Sequence, residues 1–181
     1  MQTQSFHVEL SPHLDSLAPE VQRITVEGSR AQKILSLTYT LEGDWSNFVF
    51  PDAAHPVPPT DALWEYSCCE LFWRWANAKA YREYNFSASQ QWAAYAFSAY
   101  RQQKNRPPPA PRNLNWVRNG SLITLQVEIP ISADSLQLAF AVILERVSNR
   151  NMLYYALCHP AARPDFHHPN NFALTLPECQ P

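Results

Sequence analysis

The chain has 181 residues, a formal net charge of −2, 46% hydrophobic and 17% charged residues. That length fits one domain able to bury a core without disulfide or metal staples, and that composition excludes wholesale disorder. Near-neutral charge excludes the basic footprint of a general nucleic-acid binder. No apolar run approaches the ~18 residues of a membrane span, and the N-terminus MQTQSFHVELSPHLD lacks the basic head and apolar core of an export signal. The expectation is a cytoplasmic chain that meets neither nucleic acid nor membrane.

Taken in chain order, the dominant hydrophobic period is two, the signature of half-buried strands. Phe6–Leu10 and Gln22–Val26 are the first candidates, and Leu35–Leu41 alternates strictly. Tyr66–Trp75, Tyr81–Ser87 and Trp92–Phe97 follow, then Leu114–Arg118 and Ile123–Ile129. Leu136–Leu144 is apolar on both faces from Ala139 onward and reads as a central strand; Tyr154–Cys158 and Phe172–Leu176 complete the series. Asn119-Gly120 suits a hairpin turn with positive φ at both positions, while Glu27-Gly28 and Glu42-Gly43 are read as strand ends. No long stretch has helical periodicity. Proline-rich stretches at 51–59 and 107–111 read as stiff loops. The predicted fold is all-β: one domain over 1–181, an antiparallel β-sandwich of jelly-roll or immunoglobulin-like kind.

With 3 glycines, neither GxGxxG nor GxxxxGK[ST] is present, which excludes the glycine-rich phosphate loops. The cysteines, at 68, 69, 158 and 179, form no CxxC pair, and Cys68 and Cys69 point to opposite faces of a strand. They read as reduced structural thiols.

Residues 60–101 concentrate aromatic and carboxylate side chains. Alternation places Tyr66, Cys68, Glu70 and Phe72 on one face of their strand. It places Tyr81, Glu83, Asn85 and Ser87 on one face of the next, with Arg82, Tyr84 and Phe86 opposite. A buried row of this kind needs hydrogen-bond partners. On a concave surface it suits a polyol, because carboxylate and amide groups pair with hydroxyls and indole faces stack on sugar C–H groups. The plainer alternative leaves Glu70, Glu83 and Asn85 solvated, with Trp64, Trp73 and Trp92 in the core.

The runs Asp61-Ala62-Leu63-Trp64, Cys68-Cys69-Glu70, Tyr81-Arg82-Glu83-Tyr84-Asn85-Phe86-Ser87, Trp92-Ala93-Ala94-Tyr95 and Tyr100-Arg101 resemble the DOMON-like type 9 group, relatives of the family-nine carbohydrate-binding modules. Tyr155–Pro160, Pro164–His167 and Phe172–Leu174 add to the resemblance, which departs from the group's pattern at Ala88 and Gln90. It implies a β-sandwich with a pocket on one sheet, binding a small saccharide or related polar metabolite. The residues carried over are Trp64, Glu70, Glu83, Asn85, Trp92, Arg101 and His167. Trp64 and Trp92 would stack on ligand and Glu70, Glu83 and Asn85 would hydrogen-bond it. Arg101 is expected to pair with a carboxylate.

The competing readings are a protein-interaction domain without small ligand, and a haem or metal carrier. Cys158, His159 and His167 match no tight metal-ligand spacing, and Met152 is the lone methionine besides Met1 to serve as an axial haem ligand. No cofactor, metal or catalytic activity is expected, there being no GxSxG elbow. A protein partner and the oligomeric state are not legible.

Overall fold

The computed structural model describes residues 3–51, 61–132 and 134–178; Cys179 and nearly all of the first proline-rich stretch lie outside them. The strands are β1 (Gln4–Glu9), β2 (Ser11–Pro12), β3 (Val21–Ala31), β4 (Ile34–Gly43), β5 (Phe48–Val49), β6 (Cys68–Trp75) and β7 (Tyr81–Ser87). There follow β8 (Trp92–Phe97), β9 (Gln103–Lys104), β10 (Arg112–Asn119), β11 (Leu122–Pro130), β12 (Leu136–Arg146), β13 (Met152–Ala156) and β14 (Leu174–Leu176). Among the described residues the helical pieces are three-residue 3-10 turns at Leu14–Ser16, Leu63–Glu65 and Pro169–Asn171, and none is long and apolar enough to cross a membrane.

All pairing is antiparallel. The smaller sheet runs β1-β3-β4-β11-β10; the larger runs β2-β13-β12-β6-β7-β8-β9, with β5 and β14 also paired to β12. Alternation drives the assembly. The inward sides of β4 and β11 (Leu35, Leu37, Tyr39, Leu41; Ile123, Leu125, Val127, Ile129) meet the inward sides of β6, β7 and β12 (Leu71, Trp73, Tyr84, Phe86, Leu138, Phe140) in one core. The Tyr39 hydroxyl, buried there, donates to the Glu70 carbonyl at 2.9 Å. The β-sandwich expected from the sequence is the fold.

β12 is covered on both faces because a second, smaller core forms outside the larger sheet. The segment after β13 folds back so that Phe166 and Phe172 pack on Cys68, Phe72, Tyr81, Phe97 and the small side chains Ala139 and Ala141. Arg30, fully buried, ties this returning chain to the smaller sheet. Its guanidinium donates to Gln4 Oε1 at 2.7 Å, to the Asp134 carbonyl at 2.8 Å and to the Pro177 carbonyl.

Two turn assignments change. Gly28 ends no strand: it lies inside β3 opposite Phe6, where an added Cβ would fall 2.2 Å from the Phe6 ring. Glycine is needed there so that the ring can reach Phe140, with centroids 5.6 Å apart. The β10–β11 hairpin pairs Asn119 with Leu122, so its loop is Gly120-Ser121, and only Gly120 has positive φ (60°). That is the arrangement with glycine at the first loop position rather than an Asn-Gly pair with two positive φ values. The second proline-rich stretch is held against the larger sheet, where the Pro109 carbonyl accepts from the Tyr84 hydroxyl at 3.0 Å.

Candidate functional site

The register of β6, β7 and β8 builds the site on the outer face of the larger sheet. Glu70 stands opposite Asn85, Glu83 lies between Phe72 and Tyr95, and Tyr81 stands opposite Phe97. A period of two sends all of these to the face away from the inter-sheet core. Beside the second core, Glu70, Phe72, Glu83, Tyr95 and Phe97 floor a cavity of about 590 Å³. Ile143 and Tyr154 extend the floor, the returning segment adds Pro164, Phe166 and His167, and Arg101, Gln103 and Arg163 also line it.

Trp64 reaches the cavity through a local device. Ala62 adopts a left-handed conformation (φ 58°) and starts the 3-10 turn that buries Leu63 and leaves Trp64 41% exposed. The indole meets Tyr95 edge-on, with centroids 5.5 Å apart. The Tyr95 hydroxyl donates to Asp61 Oδ1, anchoring the turn to β8.

Both acids are buried, Glu70 2% and Glu83 4% exposed. Burial first, and the neighbouring Glu83 second, hold the Glu70 carboxyl well above the usual carboxylate range. Burial lifts Glu83 to about 7, against the pull of its Asn85 hydrogen bond and of Arg101. The upward shift favours the protonated, donating form of Glu70, while Glu83 divides between its two forms near neutral pH. The polar neighbours are sparse: the Cys68 thiol at 3.7 Å from Glu70 Oε1, and Asn85 Nδ2 donating to Glu83 Oε1 at 2.9 Å. Burial above all pushes the Cys68 thiol up, so it remains protonated.

His167 sits over this floor. Burial, then the charge of Arg101, lowers it to about 4, so the ring is neutral at physiological pH. The Tyr81 hydroxyl accepts the Arg101 backbone N–H at 3.1 Å, which leaves its own proton for His167 Nδ1 at 2.7 Å. This network assigns the neutral ring its proton on Nε2, which faces Glu83 Oε2 at 3.7 Å.

Of the seven residues singled out from the sequence, Trp64, Glu70, Glu83, Arg101 and His167 share the cavity lining. Arg101 does pair with a carboxylate, but the partner is Asp165 (Nη2 to Oδ1, 2.9 Å) rather than either glutamate, and Tyr100 braces both. Asn85, 0% exposed, lies behind the lining and holds Glu83; its Oδ1 has no hydrogen-bond partner. Trp92 is a correction. It stands opposite Phe86 on the inward side of β8 and packs on the main core, so it cannot stack on a ligand in this cavity.

Residues the sequence reading passed over include Tyr95 and Phe97, Trp92's strand-mates of opposite parity, together with Tyr154, Arg163 and Phe166. Parity within β8 was the available signal. The residues weighed as metal ligands have separate engagements. Cys158 contacts the Asn170 carbonyl and Asn171 Oδ1, His159 the Ser11 carbonyl, and His167 Tyr81. Among the described residues no three His, Cys, Asp or Glu side chains gather as a metal site.

No protein-family model matches the chain, and no curated protein matches it in sequence. Among solved structures, a protein of Bacteroides uniformis for which carbohydrate binding has been proposed superposes with a TM-score of 0.66. The match covers 92% of this chain and 83% of that one at 14% identity. At that identity the likeness is one of fold: the two proteins share the same antiparallel β-sandwich.

Proposed function

We propose that this protein is a binding module for a small saccharide or a related polar metabolite, held in the cavity on the outer face of the larger sheet. The observation that carries the reading is the pairing of two buried carboxyls with aromatic walls and a half-exposed indole in one concavity. A protonated Glu70 donates and an ionised Glu83 accepts, so the floor offers both hydrogen-bonding roles that a hydroxyl needs. The ring faces of Trp64, Tyr95 and Phe97 suit the apolar C–H side of a pyranose. The resemblance to the DOMON-like type 9 group and the carbohydrate binding proposed for the Bacteroides uniformis protein support the same reading.

The module binds rather than turns over its ligand, and it works in the cytoplasm. Cys68, Cys69 and Cys158 are free thiols, which suits a reducing compartment.

Tryptophan emission titrated with a panel of mono- and disaccharides tests this reading. A saturable shift that disappears in Trp64→Ala supports it; no shift with any sugar at millimolar concentration overturns it.

A further inference from the structure

Among the described residues, the two floor acids have no cation in direct contact. Their nearest neighbours among the described residues are a thiol, an amide and a neutral imidazole. Of the two guanidiniums of the lining, Arg101 acts on Glu83 only through space and is committed to Asp165 and Tyr100, and Arg163 is solvent-exposed. Around these acids stand six aromatic rings, Trp64, Phe72, Tyr95, Phe97, Tyr154 and Phe166. Aromatic faces attract cations, and a buried carboxylate without a counter-ion is costly.

From this geometry we infer that the ligand carries a positively charged amine, seated among the rings with its N–H groups on Glu70 and Glu83. An amino sugar is the saccharide that meets this requirement. The inference rests on the saccharide reading and narrows it. An ammonium has three donors and no acceptor. It complements an acid pair flanked by few other donors, and it supplies the counter-charge that lets those acids ionise.

A proton consequence follows. The empty cavity retains protons on its acids, and a bound ammonium favours their ionised forms, so binding releases protons to solvent. The other titratable groups facing the pair do not take them up. Cys68, Tyr95 and Tyr154 are all pushed upward by burial and stay protonated, and His167 stays neutral. A neutral sugar produces no such release.

The test is calorimetric titration of the intact protein at pH 7 with glucosamine, glucose, N-acetylglucosamine and cyclohexylamine, in two buffers of different ionisation enthalpy. Glucosamine is expected to bind roughly tenfold more tightly than the two neutral sugars, with buffer-dependent heat reporting proton release. Glu83→Gln is expected to remove both the preference and the release. Equal or tighter binding of glucose or N-acetylglucosamine overturns the amine inference and leaves the saccharide reading standing. Binding of cyclohexylamine without any sugar keeps the cation site and overturns the amino-sugar assignment. Binding of none of the four overturns the amine inference, and the wider sugar panel then decides the saccharide reading. The ligand comparison uses the unmodified protein, so a poorly folding variant does not leave the matter undecided.

Discussion

The Tyr81 hydroxyl and His167 Nδ1, 86 residues apart in sequence, stand 2.7 Å apart and join the middle of the larger sheet to the chain that folds back over it. Because the hydroxyl also accepts the Arg101 N–H, one oxygen fixes the edge of the β8–β9 connection and the tautomer of the histidine together. Tyr81→Phe keeps the ring that stacks on Phe97 with centroids 4.5 Å apart and removes only the oxygen. It is expected to lose about 1–2 kcal/mol in denaturant melts, the usual effect of stranding two hydrogen-bonding groups. Nitrogen-15 spectra of the unmodified protein should show His167 as the Nε2–H form down to pH near its lowered value of about 4. Titration near 6.5 would refute the assignment.

The acid pair sets a second expectation, in pH dependence. Glu83 is raised from 4.5 to about 7 and Glu70 moves the same way. The folded chain therefore holds protons that the unfolded chain has released. The Glu83 contribution is full below about pH 4.5 and is lost as pH rises through about 7, and that of Glu70 has the same sign. His167 runs the other way: its lowered value favours the fold above pH 6.5 and that contribution is lost as pH falls toward 4. Burial lowers His159 as well, so two raised carboxyls oppose two lowered imidazoles, and substitution isolates the decline that belongs to Glu83. Glu83→Gln should flatten the decline by on the order of 3 kcal/mol between pH 5 and 8, as measured by guanidinium melts at the two pH values. An unchanged slope would count against the buried, coupled pair.

The two indoles flanking the acid strands are expected to separate cleanly. Trp64 is 41% exposed and Trp92 packs on the inter-sheet core. Trp92→Ala should lower stability by about 2–4 kcal/mol through the cavity it leaves and spare any ligand response. Trp64→Ala should leave the melt within about 1 kcal/mol and abolish the response. Exchange of these two phenotypes would place the cavity on the wrong face.

Gly28 and Phe6 form a packing pair in which each requires the other's shape. Gly28→Ala drives a methyl into the Phe6 ring and is expected to cost about 1–3 kcal/mol, the range for overpacked cores. Combining it with Phe6→Ala makes room for that methyl, so the double variant should be more stable than the sum of the two single losses implies. Simple additivity in a thermal-melt cycle would remove the steric account.

Much of the architecture was legible because alternation is a local property. The strands at Tyr81–Ser87 and Trp92–Phe97 stand where the periodicity put them, and the faces assigned to Glu70, Glu83 and Asn85 are the observed ones. Trp92 misled because aromatic identity was weighed above parity: in β8 the cavity belongs to Tyr95 and Phe97, an odd number of residues away. Arg163 and Phe166 come from a stretch with no periodicity at all. Their positions are set by long-range contacts, such as Arg101 with Asp165 and Arg30 with the Pro177 carbonyl, that no sequence window contains. The middle of β3 was misjudged at Gly28 because a glycine in a strand marks either a turn or a close approach, and only Phe6 decides which.

β6, β7 and β8 each interleave two independent texts, one written for the inter-sheet interior and the other for the cavity. Exchanging letters in the second, at Glu70, Glu83 or Tyr95, leaves the first intact, so the chemistry of the cavity can change without the chain relearning how to fold. Length is less forgiving than spelling. One residue gained or lost in the Ala88–Gln91 connection would turn β8 over, bringing Trp92 out and sending Tyr95 and Phe97 inward. The count of residues in that short bend guards the cavity more strictly than their identity does.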